Sequence, residues 1–140
     1  MSRQITLEQA ETIIDACKTE AAAVGQPMNI AVVDDGGNLV AFASMDGTKL
    51  IGVDISQKKA LTAVYFQTDT RDLAGLVQPG QPLFGIESTT GGRLVVFGGG
   101  VLLTDPDGAI TGGVGVSAGT VEEDHQVADA GRQAYATRAA

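Results

Sequence analysis

Apolar residues recur at helical spacing near the start of the chain, at Ala10, Ile13, Ile14, Cys17 and Ala21, with polar positions between them. Thr6 followed three residues later by Gln9 is a capping-box signature, and Gly25 supplies a stop. Together they predict an amphipathic helix over about residues 6–24. The pattern then changes. Residues 28–33 form a near-continuous apolar run, Asp34-Asp35-Gly36-Gly37-Asn38 is turn chemistry, and residues 39–43 are the return run. So short a connection forces the two strands to pair antiparallel. Residues 45–48 read as a loop, and residues 51–66 as a second helix with Ile55, Ala60, Leu61, Ala63 and Val64 apolar.

A short helical turn begins at Thr70, and Pro79, Gly80 and Pro82 mark residues 77–85 as a loop that Phe84 and Ile86 anchor. Residues 94–97 read as a third strand, Gly98-Gly99-Gly100 as a turn and residues 101–103 as a fourth strand. Asp105-Pro106-Asp107-Gly108 is a second turn, leading into a glycine-rich fifth strand over residues 109–117. Thr120 and Glu123 form another capping box, Asp124 adds negative charge at the same helix end, and the last helix runs to about residue 136. The expectation is a single α/β domain of the α+β type spanning residues 1–140. Its five-stranded, mostly antiparallel sheet is covered on one face by the two terminal helices.

Composition narrows the function. A net charge of −8, with scattered lysines and arginines, gives no basic face for nucleic acid and none for an anionic membrane. No stretch reaches the length of a membrane span. Residues 1–10 are polar and lack the apolar core of a signal peptide, so the expected location is the cytoplasm. Cys17 is the one cysteine and His125 the one histidine, which leaves no Cys- or His-rich metal site to assemble within a chain. Cys17 reads as a small buried apolar residue.

Four blocks, in register, resemble one family. Residues 31–47 (AVVDDGGNLVAFASMDG) are similar to its "AVVDxGGxLxAFxRMDGA" block, and Lys59-Ala60-Leu61-Thr62-Ala63 to its "KAxTA" helix. Residues 112–124 (GGVGVSAGTVEED) are similar to its "GAIGVSGGTxEQD" block, and Ala128-Asp129-Ala130-Gly131 continues the match. The family is the GlcG/HbpS-like one, which includes the C-terminal domain of PduO-type proteins. The resemblance covers about residues 5–136. It implies a profilin-like fold and a homo-oligomer, octameric or otherwise even-numbered. It also implies a small-molecule ligand, heme or another anionic compound. A second implied activity is isomerase- or tautomerase-type chemistry on a small carboxylated acid, and a third role is that of a structural subunit. Heme-binding relatives are expected to use a histidine in the N-terminal helix, and residues 6–24 contain none.

The candidate chemistry lies in a few polar residues. Adjacent Asp34 and Asp35 project to opposite faces and read as a turn. Lys59 and Thr62 share a helix face that Phe66 extends. Lys59 is either an anion anchor in a cleft or a surface lysine paired with Asp54 or Glu122, while Lys58 points to solvent. Gly91-Gly92-Arg93 and Gly98-Gly99-Gly100 match no phosphate-loop motif, and Arg93 is an anion-contact candidate. Glu123 and His125 are the acid–base candidates in the cluster that also holds Asp124, with nearby carboxylates expected to raise the His125 pKa. The plainer reading of His125 is a solvent-facing residue on a capped helix. Lys59, Thr62, Arg93 and Asp124 are the expected ligand contacts, with no resident metal. For heme, the axial candidates are His125, Cys17, Met28, Met45, Tyr65 and Tyr135.

Overall fold

The computed structural model describes residues 5–139, and side chains for residues 5–137; residues 1–4 of the polar start lie outside it. Helix α1 spans Leu7–Val24, strands β1 and β2 span Asn29–Asp34 and Leu39–Ser44, and helix α2 spans Ile51–Phe66. Two 3₁₀ segments follow, at Thr70–Leu76 and Ile86–Thr90. Strands β3 (Gly100–Thr104) and β4 (Ile110–Ser117) lead to helix α3 (Val121–Ala139). α1 opens on the expected box: Thr6 accepts from the Gln9 N–H while the Gln9 side chain accepts from the Thr6 N–H. It closes on Gly25 at φ 78°. In the first turn Asp34 Oδ1 accepts from the N–H groups of Gly36 and Asn38, which confirms the Asp34–Asn38 segment as hairpin chemistry.

The sheet is antiparallel with four strands in the order β2-β1-β4-β3, not five. The expected strand at residues 94–97 does not form. Leu94 and Val95 are buried as a strand pattern would suggest, but the Val95 N–H donates to the hydroxyl of Thr62. The edge such a strand would join is already satisfied. The outward N–H groups of β3 go to side chains, Gly100 to Thr70 Oγ1 at 2.9 Å and Leu102 to Asp69 Oδ1 at 3.0 Å. With these N–H groups taken, the edge offers fewer donors for another strand to pair with.

The two faces follow from alternation along β1 and β4. Ile30, Val32, Val114 and Val116 point to one side and form the main core with Ile13, Cys17, Val101, Leu103, Val127 and Tyr135. α1 and α3 cover that side together, as expected. Their backbones come close because Gly131 leaves no Cβ to strike Ile13 and the Cys17 sulfur. The Cys17 thiol donates to the Val127 carbonyl, and burial pushes its pKa up to about 12, so it is a packing residue.

The opposite face presents Ala31, Val33, Gly113 and Gly115, and α2 lies on it. α2 turns small residues inward, Gly52, Ser56, Ala60 and Ala63, so its backbone rests against β4. A Cβ on Gly115 would collide with the Ser56 carbonyl oxygen. Gly115→Ala is therefore expected to lower unfolding stability by about 1–3 kcal/mol or more, through overpacking against an unyielding backbone. Urea unfolding measures this, and an unchanged midpoint would contradict the close α2–β4 approach.

Candidate functional site

α2 carries one large polar side chain into the interior. Lys59 has no exposed surface. Its ammonium donates to the Val116 carbonyl and to Asp124 Oδ2, each at 2.8 Å, and lies 5.1 Å from the centre of the Phe97 ring. Asp124 uses its other oxygen to accept from the Gly119 N–H at 2.9 Å. Burial lowers the Lys59 pKa and raises that of Asp124, and in each case the partner's charge opposes the shift. This one contact joins α2, the end of β4, the 97–100 segment and the start of α3. Gly99 makes room for it at φ 125°, where a Cβ would fall 2.5 Å from the lysine nitrogen.

Above the ion pair lies a cavity of about 330 Å³ lined by Arg71, Ala74, Phe97, Gly98, Val121, Glu122 and His125. Phe97 belongs to both levels, covering the Lys59 ammonium and forming the pocket wall. His125 is 9% exposed, and its Nδ1 is buried with no hydrogen-bond partner. The expected rise in its pKa is corrected by the geometry. Burial lowers it, the Arg71 charge lowers it further, and these outweigh the pull of Asp69 and Asp129. The two neighbouring carboxylates in sequence are committed elsewhere, Asp124 to Lys59 and Glu123 to the N–H of Thr120. The solvent-facing alternative for His125 does not hold either.

The expected cleft shared by Lys59, Arg93 and the start of the last helix does not form as one pocket. Lys59 and Asp124 meet each other beneath it, and Lys58 takes Asp54 instead. Thr62 is buried, donating to the Lys58 carbonyl and accepting from Val95. Arg93 lies on the exposed surface, donating to the Tyr65 hydroxyl at 2.7 Å with its guanidinium over that ring. Glu123 closes the second capping box with Thr120. Of the expected site residues, His125 alone lines the cavity. Arg71 and Phe97 were not among them; no local motif marks either, and only the folding of residues 70–76 and 97–100 beside α3 brings them to it.

The axial candidates separate in the same way. Met28 is fully buried, and its backbone N–H donates to the Met45 sulfur. The Tyr135 hydroxyl is buried on Thr111 Oγ1, and Tyr65 is held by Arg93. Cys17 is enclosed in the core. Only the His125 imidazole combines an unpartnered nitrogen with a cavity, so the residues present fit a ligand that takes one imidazole and an apolar wall.

The buried pair sets a clear expectation for stability. Lys59→Met or Asp124→Asn alone strands the partner's charge and should cost about 3–5 kcal/mol. Lys59→Met/Asp124→Asn should cost less than the sum of the two single changes, and a double-mutant cycle by urea unfolding checks this. His125 gives a second. Its folded-state pKa lies below the unfolded value of about 6.5, so the unfolded chain takes the proton first as pH falls. That contribution lowers stability as pH drops through 6.5 and levels off below the folded pKa. His125→Gln should remove it, so the variant should lose less stability than the parent between pH 7.5 and 5.5. Equal losses would reject the depressed pKa.

The family described as haem degrading protein HbpS-like matches residues 5–133. A 15.0 kDa protein in the dhaT–dhaS intergenic region of Citrobacter freundii is 39% identical over 127 residues, covering 89% of this chain and 87% of that protein. Protein GlcG of Escherichia coli K12 is 38% identical over 119 residues, covering 84% and 85%. Among solved structures, the PduOC–heme complex superposes with a TM-score of 0.89 at 33% identity, covering 94% of each chain. Sequence blocks, a matching family over nearly the full length and a shared α+β fold agree: this chain belongs to the GlcG/HbpS-like family.

Proposed function

We propose that the protein is a heme-binding protein, with the pocket at the start of α3 as the site and His125 as the residue that would ligate the iron. The observation that carries this reading is the buried, unpartnered Nδ1 of an imidazole that lines a cavity. A depressed pKa keeps that imidazole neutral at pH 7, the form that ligates a metal. Phe97, Val121 and Ala74 supply the apolar contact. At about 330 Å³ the cavity is near the lower end of small-ligand pockets, so it encloses part of a tetrapyrrole rather than all of it. Heme bound there supplies an iron centre open to ligation and electron exchange. The PduOC–heme complex, a relative that covers the chain, supports the reading.

Proton transfer by Glu123 finds no such support, because its carboxylate is held in the cap and does not line the cavity. The protein is further proposed to be cytoplasmic and to act as an even-numbered homo-oligomer such as an octamer. Supporting the latter, Leu50 and Ile51 at the start of α2 are 85% and 67% exposed. No described helix is long and apolar enough to cross a membrane.

Titration of the purified protein with hemin tests the main reading. The expected result is a saturable Soret shift with about one heme per chain, weakened at least tenfold in His125→Ala. An absent shift, or one of equal affinity and band position in His125→Ala, would overturn it.

A further inference from the structure

We propose that this pocket selects its ligand by a single carboxylate, held by Arg71 and the first-turn N–H groups of α3, with the ligand's flat apolar body against Phe97 and Val121. The inference rests on the binding reading above and names the class of molecule the pocket takes.

Three observations carry it. The first is an unpaired cation. Arg71 lines the cavity and forms no ion pair among the described residues. Three nearby acids are already occupied: Arg132 holds Asp69 at 2.7 Å and Asp129 at 2.8 Å, and Lys59 holds Asp124. The second is the helix end. Val121 and Glu122 open the 19-residue α3 and both line the cavity. The N–H groups of a first turn have no carbonyl within the helix to bind and favour an anion. The third is His125 itself, nine-tenths buried on the wall of the same cavity with its Nδ1 lacking a hydrogen-bond partner, an arrangement that is costly unless something shares the site.

Charge then fixes the class. Asp124 is paired with Lys59 and Glu123 is turned to the Thr120 N–H rather than to the lining, which leaves Glu122 as the acid on the pocket wall. On the lining itself Arg71 balances Glu122, and the open first-turn N–H groups add a place for one anionic group. A lining so close to neutral suits one carboxylate better than the double charge of a phosphate ester. The wall of Phe97, Val121 and Ala74 calls for an apolar body. A heme propionate and a free aromatic acid present the same group, so the test includes both.

The experiment titrates the full ¹⁵N-labelled chain with 2-naphthoate and with its uncharged isostere 2-naphthamide, in the parent and in Arg71→Met. Naphthoate should shift the amide signals of Val121, Glu122 and His125 saturably. Naphthamide should bind at least tenfold more weakly. Arg71→Met should weaken naphthoate at least tenfold and leave naphthamide unchanged; its melting temperature, read alongside, should match the parent because Arg71 is exposed. Equal affinity for acid and amide, no response to Arg71→Met, or shifts at residues elsewhere would each overturn the proposal. So would no binding of naphthoate. Hemin and its dimethyl ester separate the two readings. Hemin bound through His125 with the ester equally tight overturns the carboxylate and leaves heme binding standing. Naphthoate bound as described, with hemin silent, leaves the carboxylate class and removes heme.

Discussion

A lysine ammonium with no exposed surface must find acceptors in the interior or give up its proton, and the rest of this structure is arranged around that requirement. Lys59 meets it with the Val116 carbonyl, Asp124 and the face of Phe97. Each partner comes from a different part of the chain. β4 has to end beside α2 to offer the carbonyl, and α3 has to begin beside both to offer the carboxylate. Residues 97–100 have to pass close enough that Gly99 cannot carry a side chain. Removing both charges from water is expensive, so the geometry tolerates little displacement.

The sheet makes this approach feasible. On β4 valines alternate with glycines, Gly113-Val114-Gly115-Val116, so one face is thick and the other nearly bare backbone. α1 and α3 fill the thick face with ordinary apolar packing. α2 meets the bare face with its own small residues and sinks until its backbone touches β4. Only at that distance does the ammonium of Lys59 reach the end of β4. Ala118, held at φ 110° in a region that ordinary side chains avoid, marks the tight turn that then starts α3.

Much of this was readable in the residues. The capping boxes at Thr6 and Thr120, the Asp34–Asn38 turn and the alternation of residues 112–117 are local signals, and each is in place. The false strand at residues 94–97 shows where local reading ends. Its residues are as apolar and as buried as a strand's, but whether they pair depends on an edge that Asp69 and Thr70 occupy from a distant segment. The site divides in the same way. Lys59 and Asp124 stand out as polar residues in conspicuous blocks, and they do meet. What they build is a foundation, because burial turns a candidate ligand contact into a structural ion pair. Arg71 and Phe97 carry no local mark of function; contacts between segments far apart in sequence place them on the pocket.

The foundation also determines the chemistry above it. An Asp124 free of Lys59 would sit one residue from His125 as a naked carboxylate, favouring the charged imidazole and competing for Arg71. Tied to the lysine, it does neither. Burial and the Arg71 charge then favour the neutral imidazole, while the guanidinium forms no ion pair among the described residues. A neutral imidazole and a cation free of the nearby carboxylates line one cavity because another charge pair was completed beneath them. An anionic, apolar-bodied ligand is the kind of molecule that satisfies both, which connects a single buried lysine on α2 to what the pocket can hold.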